Sequence, residues 1–337
     1  VRMRIAMLSP IAWRTPPKSY GPWEMVASIL TEGLIKAGVD VTLFATKDSI
    51  TAGKLDAVCS RPYEEDKSIN PKVWECLHIS NLMEKGHQFD IIHNHFNFLP
   101  LTYSKLIQTP MVTTIHGFSS EKILPVYKKY NLSTNYISIS NADRHTDLDY
   151  LTTVYHGISS TDFKYSDTKD DYLLFYGRIH PDKGTHTAIK IAKKSGIPLI
   201  IAGLIQDEHY YNKEIAPHID GTNIKYLGNI SQRDDNTILG KAMALLHPIY
   251  FEEPFGLSVA EAMMCGMPVI AHFRGSMPEL IEHGETGFLV DSLDEAVKAV
   301  QRLDEIDTYY CRAHAIENFS VTRMVAEYLK VYSSILL

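Results

Sequence analysis

Ile5-Ala6-Met7-Leu8-Ser9, then a helical run over residues 23–37 closed by Gly38, then Val41-Thr42-Leu43-Phe44-Ala45 decide how this chain folds. The two short apolar runs read as buried strands, the segment between them carries apolar residues at helical spacing, and Gly38 is a helix stop. Strand, helix, strand predicts parallel pairing through a helical crossover. The alternation continues with strands over 91–95, 111–115 and 136–140, and restarts over 173–176, 198–202, 224–227, 244–247 and 269–271. The fold class is therefore α/β, with two doubly wound domains expected to face each other across a cleft. A polar stretch over 159–171 separates them, giving domains 1–158 and 159–320. The helical tail 321–337 is expected to pack back on the first domain.

Bulk properties agree with this. A chain of 337 residues exceeds what one core usually supports. Apolar content of 45% and charged content of 22% are those of a globular protein, and a net charge of −7 argues against a nucleic-acid partner. Cys59, Cys76, Cys265 and Cys311 are scattered without a Cys-x-x-Cys pair, which fits a reducing cytoplasm. The opening apolar run stops at Ser9-Pro10, too short for a signal-peptide core, and no run approaches the ~20 apolar residues of a membrane span. Residues 123–130 mix apolar and basic side chains, compatible with peripheral contact at the inner membrane face or with an ordinary packed segment. Oligomeric state is not legible.

The chemistry concentrates where strands end, the usual place for ligands in parallel sheets. Glu253-Pro254-Phe255-Gly256-Leu257-Ser258-Val259-Ala260-Glu261 places two carboxylates around a turn that opens a helix. At ~1.5 Å per helical residue they can sit roughly 10 Å apart, a reach suited to a polyhydroxylated ligand. Free N–H groups of Phe255, Gly256 and Leu257 at that helix start favour a phosphate, while carboxylates accept bonds from hydroxyls. The plain alternative is a capped helix with solvated glutamates. Gly177-Arg178-Ile179-His180-Pro181-Asp182-Lys183-Gly184 puts two cations on what reads as an exposed loop, fit to neutralise a diphosphate. Its alternative is a solvated surface turn.

These two motifs, together with Gly275-Ser276-Met277-Pro278-Glu279 and Gly284-Glu285-Thr286-Gly287-Phe288-Leu289-Val290, resemble retaining glycosyltransferase family 4, of the GT-B fold with two Rossmann-like domains. In the first domain the resemblance is looser, resting on Gly21, His116-Gly117 and residues 154–158. It implies a hexosyltransferase that takes a sugar from a UDP- or GDP-linked donor and passes it, with retention, to a small-molecule, glycan or lipid-linked acceptor. No cofactor and no metal ion are implied. Arg178 and Lys183 match the pair that holds the departing diphosphate, Glu253 the carboxylate on the donor sugar, Glu261 the one on the ribose, and His116 the histidine near the reacting phosphate. Gly21, Gly228, Phe255, Gly256 and Leu257 complete the implied donor contacts. The rival readings are a non-catalytic nucleotide-sugar-binding protein and a nucleotide-sugar epimerase of the same fold.

Several features stand beside the resemblance. Family members often have Gly-Gly after the first strand, whereas here Gly21 is followed by Pro22, which lacks a backbone donor but suits a first helical turn. Trp13, Tyr20 and Trp23 form either an aromatic platform for a sugar or a cover for the domain edge. His93 and His95 share a strand face, as metal ligands would, but no third ligand has matching spacing. Asp147-Leu148-Asp149 formally fits the metal motif of a GT-A transferase, yet lies in a polar, helical-looking stretch over 141–150 and reads as a solvated face.

Overall fold

The pleat of one strand sets the layering of the first half. β1 (Arg4–Leu8) sends Ile5 and Met7 into one apolar cluster and Ala6 and Leu8 into another, all four without exposure, so helices must cover both faces. The computed structural model describes residues 2–118, 120–230 and 232–337, with the backbone alone over 232–236. Val1, at the head of the predicted first domain, lies outside the described residues, as do Ser119 and Ser231.

Beside β1 lie β2 (Asp40–Phe44), β3 (Lys54–Asp56), β4 (Ile91–Asn94), β5 (Met111–Ile115), β6 (Asn135–Ser138) and β7 (Tyr150–Thr153). They pair in parallel in the order β3-β2-β1-β4-β5-β6-β7. α1 (Pro22–Lys36) covers one face through Leu30 and Leu34. α2 (Pro71–Glu84) and α3 (Leu124–Tyr130) cover the other through Ile79, Leu82, Leu124 and Tyr127. In the 123–130 segment Leu124, Tyr127 and Tyr130 are buried, whereas Pro125, Lys128 and Lys129 are exposed. Among the described residues no helix is long and apolar enough to cross a membrane.

The second half repeats the plan with β8 (Leu173–Tyr176), α4 (Thr185–Ser195), β9 (Leu199–Ala202), α5 (Glu208–Tyr210), β10 (Ile224–Tyr226), α6 (Gln232–Lys241), β11 (Ala244–His247), α7 (Leu257–Met264), β12 (Val269–His272), α8 (Met277–Leu280), β13 (Gly287–Val290), α9 (Leu293–Val300) and α10 (Thr308–Phe319). Its parallel sheet has the order β10-β9-β8-β11-β12-β13. In each sheet the strand order reverses beside the first strand, between β1 and β4 and between β8 and β11, and such a switch point is where open α/β sheets hold ligands.

By contacts the chain divides into a unit that runs to Gly157 and takes in Val321–Leu337, and a unit Ile158–Ser320. The tail is α11 (Val321–Leu336); it buries Met324, Val325, Tyr328, Val331 and Tyr332 on one stripe against α1 and the first sheet.

Two sequence expectations are corrected. The stretch 141–150 is not helical but turns and bends into β7. Side chains capture its backbone donors instead: the Asp143 N–H donates to Ser140 Oγ at 3.0 Å, and the His145 N–H to the Tyr150 hydroxyl at 3.0 Å. The edge strands β3 and β7 are also additions, because partly exposed edges carry no continuous apolar run.

Candidate active site

In the Ile158–Ser320 unit, the loops leaving β8 and β11 meet at the switch point. Gly184 makes this contact tolerable. Its φ is 71°, and a Cβ there would lie 2.0 Å from the Pro248 carbonyl oxygen. The Tyr250 N–H also donates to the Asp182 carbonyl at 2.7 Å. Lys183 ends a short 3-10 turn, Pro181–Lys183, capped by His180. From there its Nζ donates to Glu253 Oε2 at 2.7 Å, with side-chain exposures of only 15% and 10%. The expectation of an exposed lysine is thereby corrected: Lys183 is half of a buried ion pair. His247, at the end of β11, sits 3.2 Å from the same oxygen.

Burial alone pushes the Glu253 carboxyl up, but the Lys183 ammonium and the His247 hydrogen bond outweigh it and hold the group at about 2. Burial lowers His247, against the opposing pull of Glu253. Arg178 forms a two-pronged bond to Asp182, at 3.1 and 2.7 Å, and reaches Gln206 Oε1 at 2.8 Å. Both cations lie by the Phe251 ring, Arg178 Cζ at 5.8 Å and Lys183 Nζ at 4.7 Å from its centroid. The cations are thus held in fixed positions before any ligand is considered.

The rest of the Glu253 segment is anchored from behind. Ser276 N–H donates to the Glu253 carbonyl at 2.9 Å, and its hydroxyl to the Phe255 carbonyl at 2.6 Å. Phe255 is buried edge-on to Phe319. Gly256, with φ of 95°, caps α7 without a side-chain bond; its carbonyl accepts the Val259 N–H at 3.1 Å and the Ala260 N–H at 3.2 Å, so among the described residues the Leu257 and Ser258 N–H groups have no acceptor within the helix. Glu261 is half-buried one turn further along α7. Gly228, with φ of 82°, follows β10, and its carbonyl accepts the Gly203 N–H at 2.9 Å. Arg178, Lys183, Glu253, the Phe255-Gly256-Leu257 turn and Gly228 therefore all lie at or beyond the carboxyl edge of one sheet.

His116 and Gly21 belong to the other unit. Gly21, with φ of 148°, precedes α1, and Pro22 occupies its first turn. His116 follows β5 and lies between the rings of Trp23, at 5.6 Å and 21°, and His156, at 5.2 Å and 28°. Its Nε2 is 2.8 Å from His95 Nδ1. The rings of His95 and His93 are 4.2 Å apart, and both nitrogens of His93 are engaged, by the Tyr332 hydroxyl at 2.6 Å and by Thr114 Oγ1 at 2.8 Å. Burial lowers all four histidines, His93 and His116 to about 3 and His95 and His156 well below the usual range, so the cluster is neutral.

Neutrality couples two tautomers. Only one of His95 and His116 can donate in their shared bond, and the outer nitrogens, His95 Nε2 and His116 Nδ1, have no partner among the described residues. If His95 donates, His116 carries its proton on Nδ1. If His116 donates, its Nδ1 is an acceptor.

The metal readings weaken on the same geometry. His93 has no nitrogen to spare, and among the described residues no group of three His, Cys, Asp or Glu is arranged for a metal. Asp147 pairs with Lys128, and Asp149 accepts from Asn131 at 2.8 Å.

Sequence reasoning did not single out Asp182, His247 or His156 as site residues. His247 had a usable signal, since it ends an apolar strand run. Asp182 and His156 had none, because their partners are fixed only by the fold.

Residues 24–150 match the family model described as Glycosyltransferase Family 4, and residues 160–315 match that described as Glycosyl transferases group 1. An uncharacterised 41.2 kDa protein of the cps region of Klebsiella pneumoniae is 29% identical over 169 residues, 48% of this chain and 46% of that protein, so the match spans about half of each. A glycogen synthase of Mycobacterium tuberculosis is 22% identical over 85% of this chain and 81% of its own length. Among solved structures, Anabaena HepE in complex with UDP-glucose superposes with a TM-score of 0.75 at 20% identity, over 99% of this chain and 100% of that one. With two models of one kind tiling most of its length over two all-parallel, doubly wound sheets, the chain belongs to glycosyltransferase family 4, the group 1 glycosyltransferases of the GT-B fold.

Proposed function

We propose that this protein transfers a hexosyl group from a nucleoside diphosphate sugar to an acceptor, with retention of anomeric configuration and without a metal ion. The observation that carries this reading is the buried Lys183–Glu253 pair at the β8/β11 switch point, flanked by Arg178 and the start of α7. A diphosphate gains negative charge as it leaves the sugar, and fixed cations and helix N–H groups stabilise that charge without rearrangement. Arg178 and Lys183 take this role. That HepE was crystallised with UDP-glucose supports a donor of this type.

Glu253 stays ionised at neutral pH, so it accepts hydrogen bonds from donor-sugar hydroxyls and has no proton to give. This suits a positioning role rather than that of a general acid in hydrolysis. Glu261 is assigned the ribose hydroxyls, Gly228 the base-side backbone contact, and Gly21 a backbone approach to phosphate. His116 is assigned a hydrogen bond to the transferred sugar, made by a neutral ring. The test is a panel of UDP- and GDP-sugars followed by NMR of the product anomer. Release of free UDP or GDP with a retained anomer is expected. Tight binding with no turnover of any donor, or an inverted product, would overturn the proposal.

A further inference from the structure

The first unit has its own pocket at its own switch point. It has a volume of about 450 Å³, in the range of small-molecule sites, and lies among the loops that leave β1 and β4. Trp13, Tyr20, Trp23 and Tyr63 supply its aromatic walls, and Glu24 and Glu75 its carboxyl groups; among the described residues no Lys or Arg lines it. Trp13 and Tyr20 meet edge to face, at 6.1 Å and 80°, and make an aromatic corner. Trp23 is also the ring stacked on His116, so the pocket wall and the histidine cluster share a side chain.

We propose that this pocket holds the acceptor, and that the part it holds is an uncharged carbohydrate ring. Pyranose rings present C–H faces that stack on aromatic walls and hydroxyls that donate to carboxylates. Both are met here. Tyr63 and Glu75 both line the pocket, and the Glu75 carboxylate accepts a ring hydroxyl. Glu24 accepts the Trp13 N–H at 3.1 Å and sits buried in the first turn of α1. Asn97 stands at the rim in the left-handed region, φ 69°, a conformation that costs energy in any residue but glycine. Its Oδ1 is taken by the Tyr127 hydroxyl, which leaves its amide N–H groups to donate to a hydroxyl. With the Glu75 carboxylate in its lining and, among the described residues, no cation, the pocket disfavours phosphate, pyrophosphate and uronate groups by like-charge repulsion.

This deepens the transferase reading by naming its acceptor, and it is tested without turnover. The probes are methyl glycosides of glucose, mannose, galactose and N-acetylglucosamine, added to the full chain without donor, with saturation-transfer NMR and tryptophan emission as readouts. Glucose 6-phosphate, methyl glucuronide and decyl glucoside are added in parallel. At least one neutral glycoside is expected to bind in the millimolar range through its ring protons, with the anionic sugars at least about tenfold weaker. Trp13→Ala and the nearly isosteric Glu75→Gln should each weaken that glycoside about tenfold while leaving UDP and GDP affinity unchanged. Anionic sugars binding as well as neutral ones, saturation confined to the decyl chain, no glycoside binding, or indifference to both substitutions would overturn the proposal. If glycosides bind and no nucleotide sugar is turned over, the transferase reading fails while the pocket stands; the reverse result sinks the pocket alone.

Discussion

Replacing Lys183 with Met removes the charge of a buried pair while keeping most of the apolar stem. Glu253 is held at about 2 rather than near the ordinary 4.5, a gap that corresponds to about 3 kcal/mol of stability at neutral pH. Leaving that carboxylate unpaired costs ~3–5 kcal/mol by the usual behaviour of buried pairs. For a unit of about 160 residues, Ile158–Ser320, a loss of ~3 kcal/mol lowers the melting temperature by ~6–12 °C. The sign with pH is fixed. A carboxyl held low in the folded state stabilises above its unfolded value, so the wild-type advantage is full above about 4.5 and is lost as pH falls through 2. The deficit of Lys183→Met should therefore be largest near pH 7 and shrink in acid. The double variant Lys183→Met/Glu253→Gln should recover most of the loss, because no unpaired charge remains. Calorimetry and hydrogen exchange over 244–264 read this unit. Tryptophan emission reads the other, since Trp13, Trp23 and Trp74 all precede Gly157. A single variant that melts within about 1 °C of wild type, or a double variant no more stable than the singles, would refute the reasoning.

Glu24 carries the opposite sign. Burial raises it to about 7, so the folded state holds the proton more tightly, and stability should fall by up to ~3 kcal/mol as pH rises from about 4.5 through 7. Urea midpoints across that range should show the slope, and Glu24→Gln should flatten it. His116→Ala is expected to lower kcat by ~10²-fold or more with donor affinity little changed, and the wild-type rate should show no ionisation of His116 between pH 5 and 9, because its ring titrates near 3. A kcat step near pH 6.5 that vanishes in the variant would contradict this. Glu261→Ala should weaken UDP or GDP in calorimetry and leave the melting temperature within about 2 °C; unchanged nucleotide affinity would remove its ribose role. Turnover should survive exhaustive EDTA treatment, and a loss restored by Mg²⁺ or Mn²⁺ would end the metal-free proposal.

The parts of this architecture legible in the sequence were those encoded locally. β5, β8 and β11 occupy the predicted spans, because a fully buried parallel strand is a continuous apolar run with sharp ends. Edge strands β3 and β7 escaped because half-exposed strands have no such run, and 141–150 misled because its polar residues, read as one face of a helix, bond to nearby backbone instead. At the site, Arg178, Lys183 and Glu253 could be nominated from residue type and position at strand ends. Their pairing could not. Seventy positions separate Lys183 from Glu253, and the contact depends on a glycine that lets two loops touch. An exposed lysine and a buried one have the same sequence. Likewise His93, His95 and His116 were visible singly, while the relay of ring contacts that leaves one nitrogen of His116 without a partner among the described residues needs β4, β5 and α11 together.

The same topology carries opposite electrostatics in its two units, and on the proposed reading this is what separates the ligands. At the β8/β11 switch point, two cations held in place by carboxylates lie with a helix start at the edge of one sheet, an arrangement suited to a diphosphate. At the β1/β4 switch point the lining has carboxyl groups and aromatic rings and, among the described residues, no cation, while the adjacent histidines are kept neutral by burial. A nucleotide sugar bound in the wrong unit would set its phosphates against Glu75, with no cation among the described lining residues to answer them. Reversing the sign of one pocket is therefore more informative than deleting a side chain. Glu75→Lys should let glucose 6-phosphate bind where wild type rejects it, measured by the same saturation transfer, while UDP and GDP affinity at the other unit stays unchanged. If the phosphorylated sugar is still excluded, charge is not what sorts the two ligands, and the division of labour between the switch points must rest on shape.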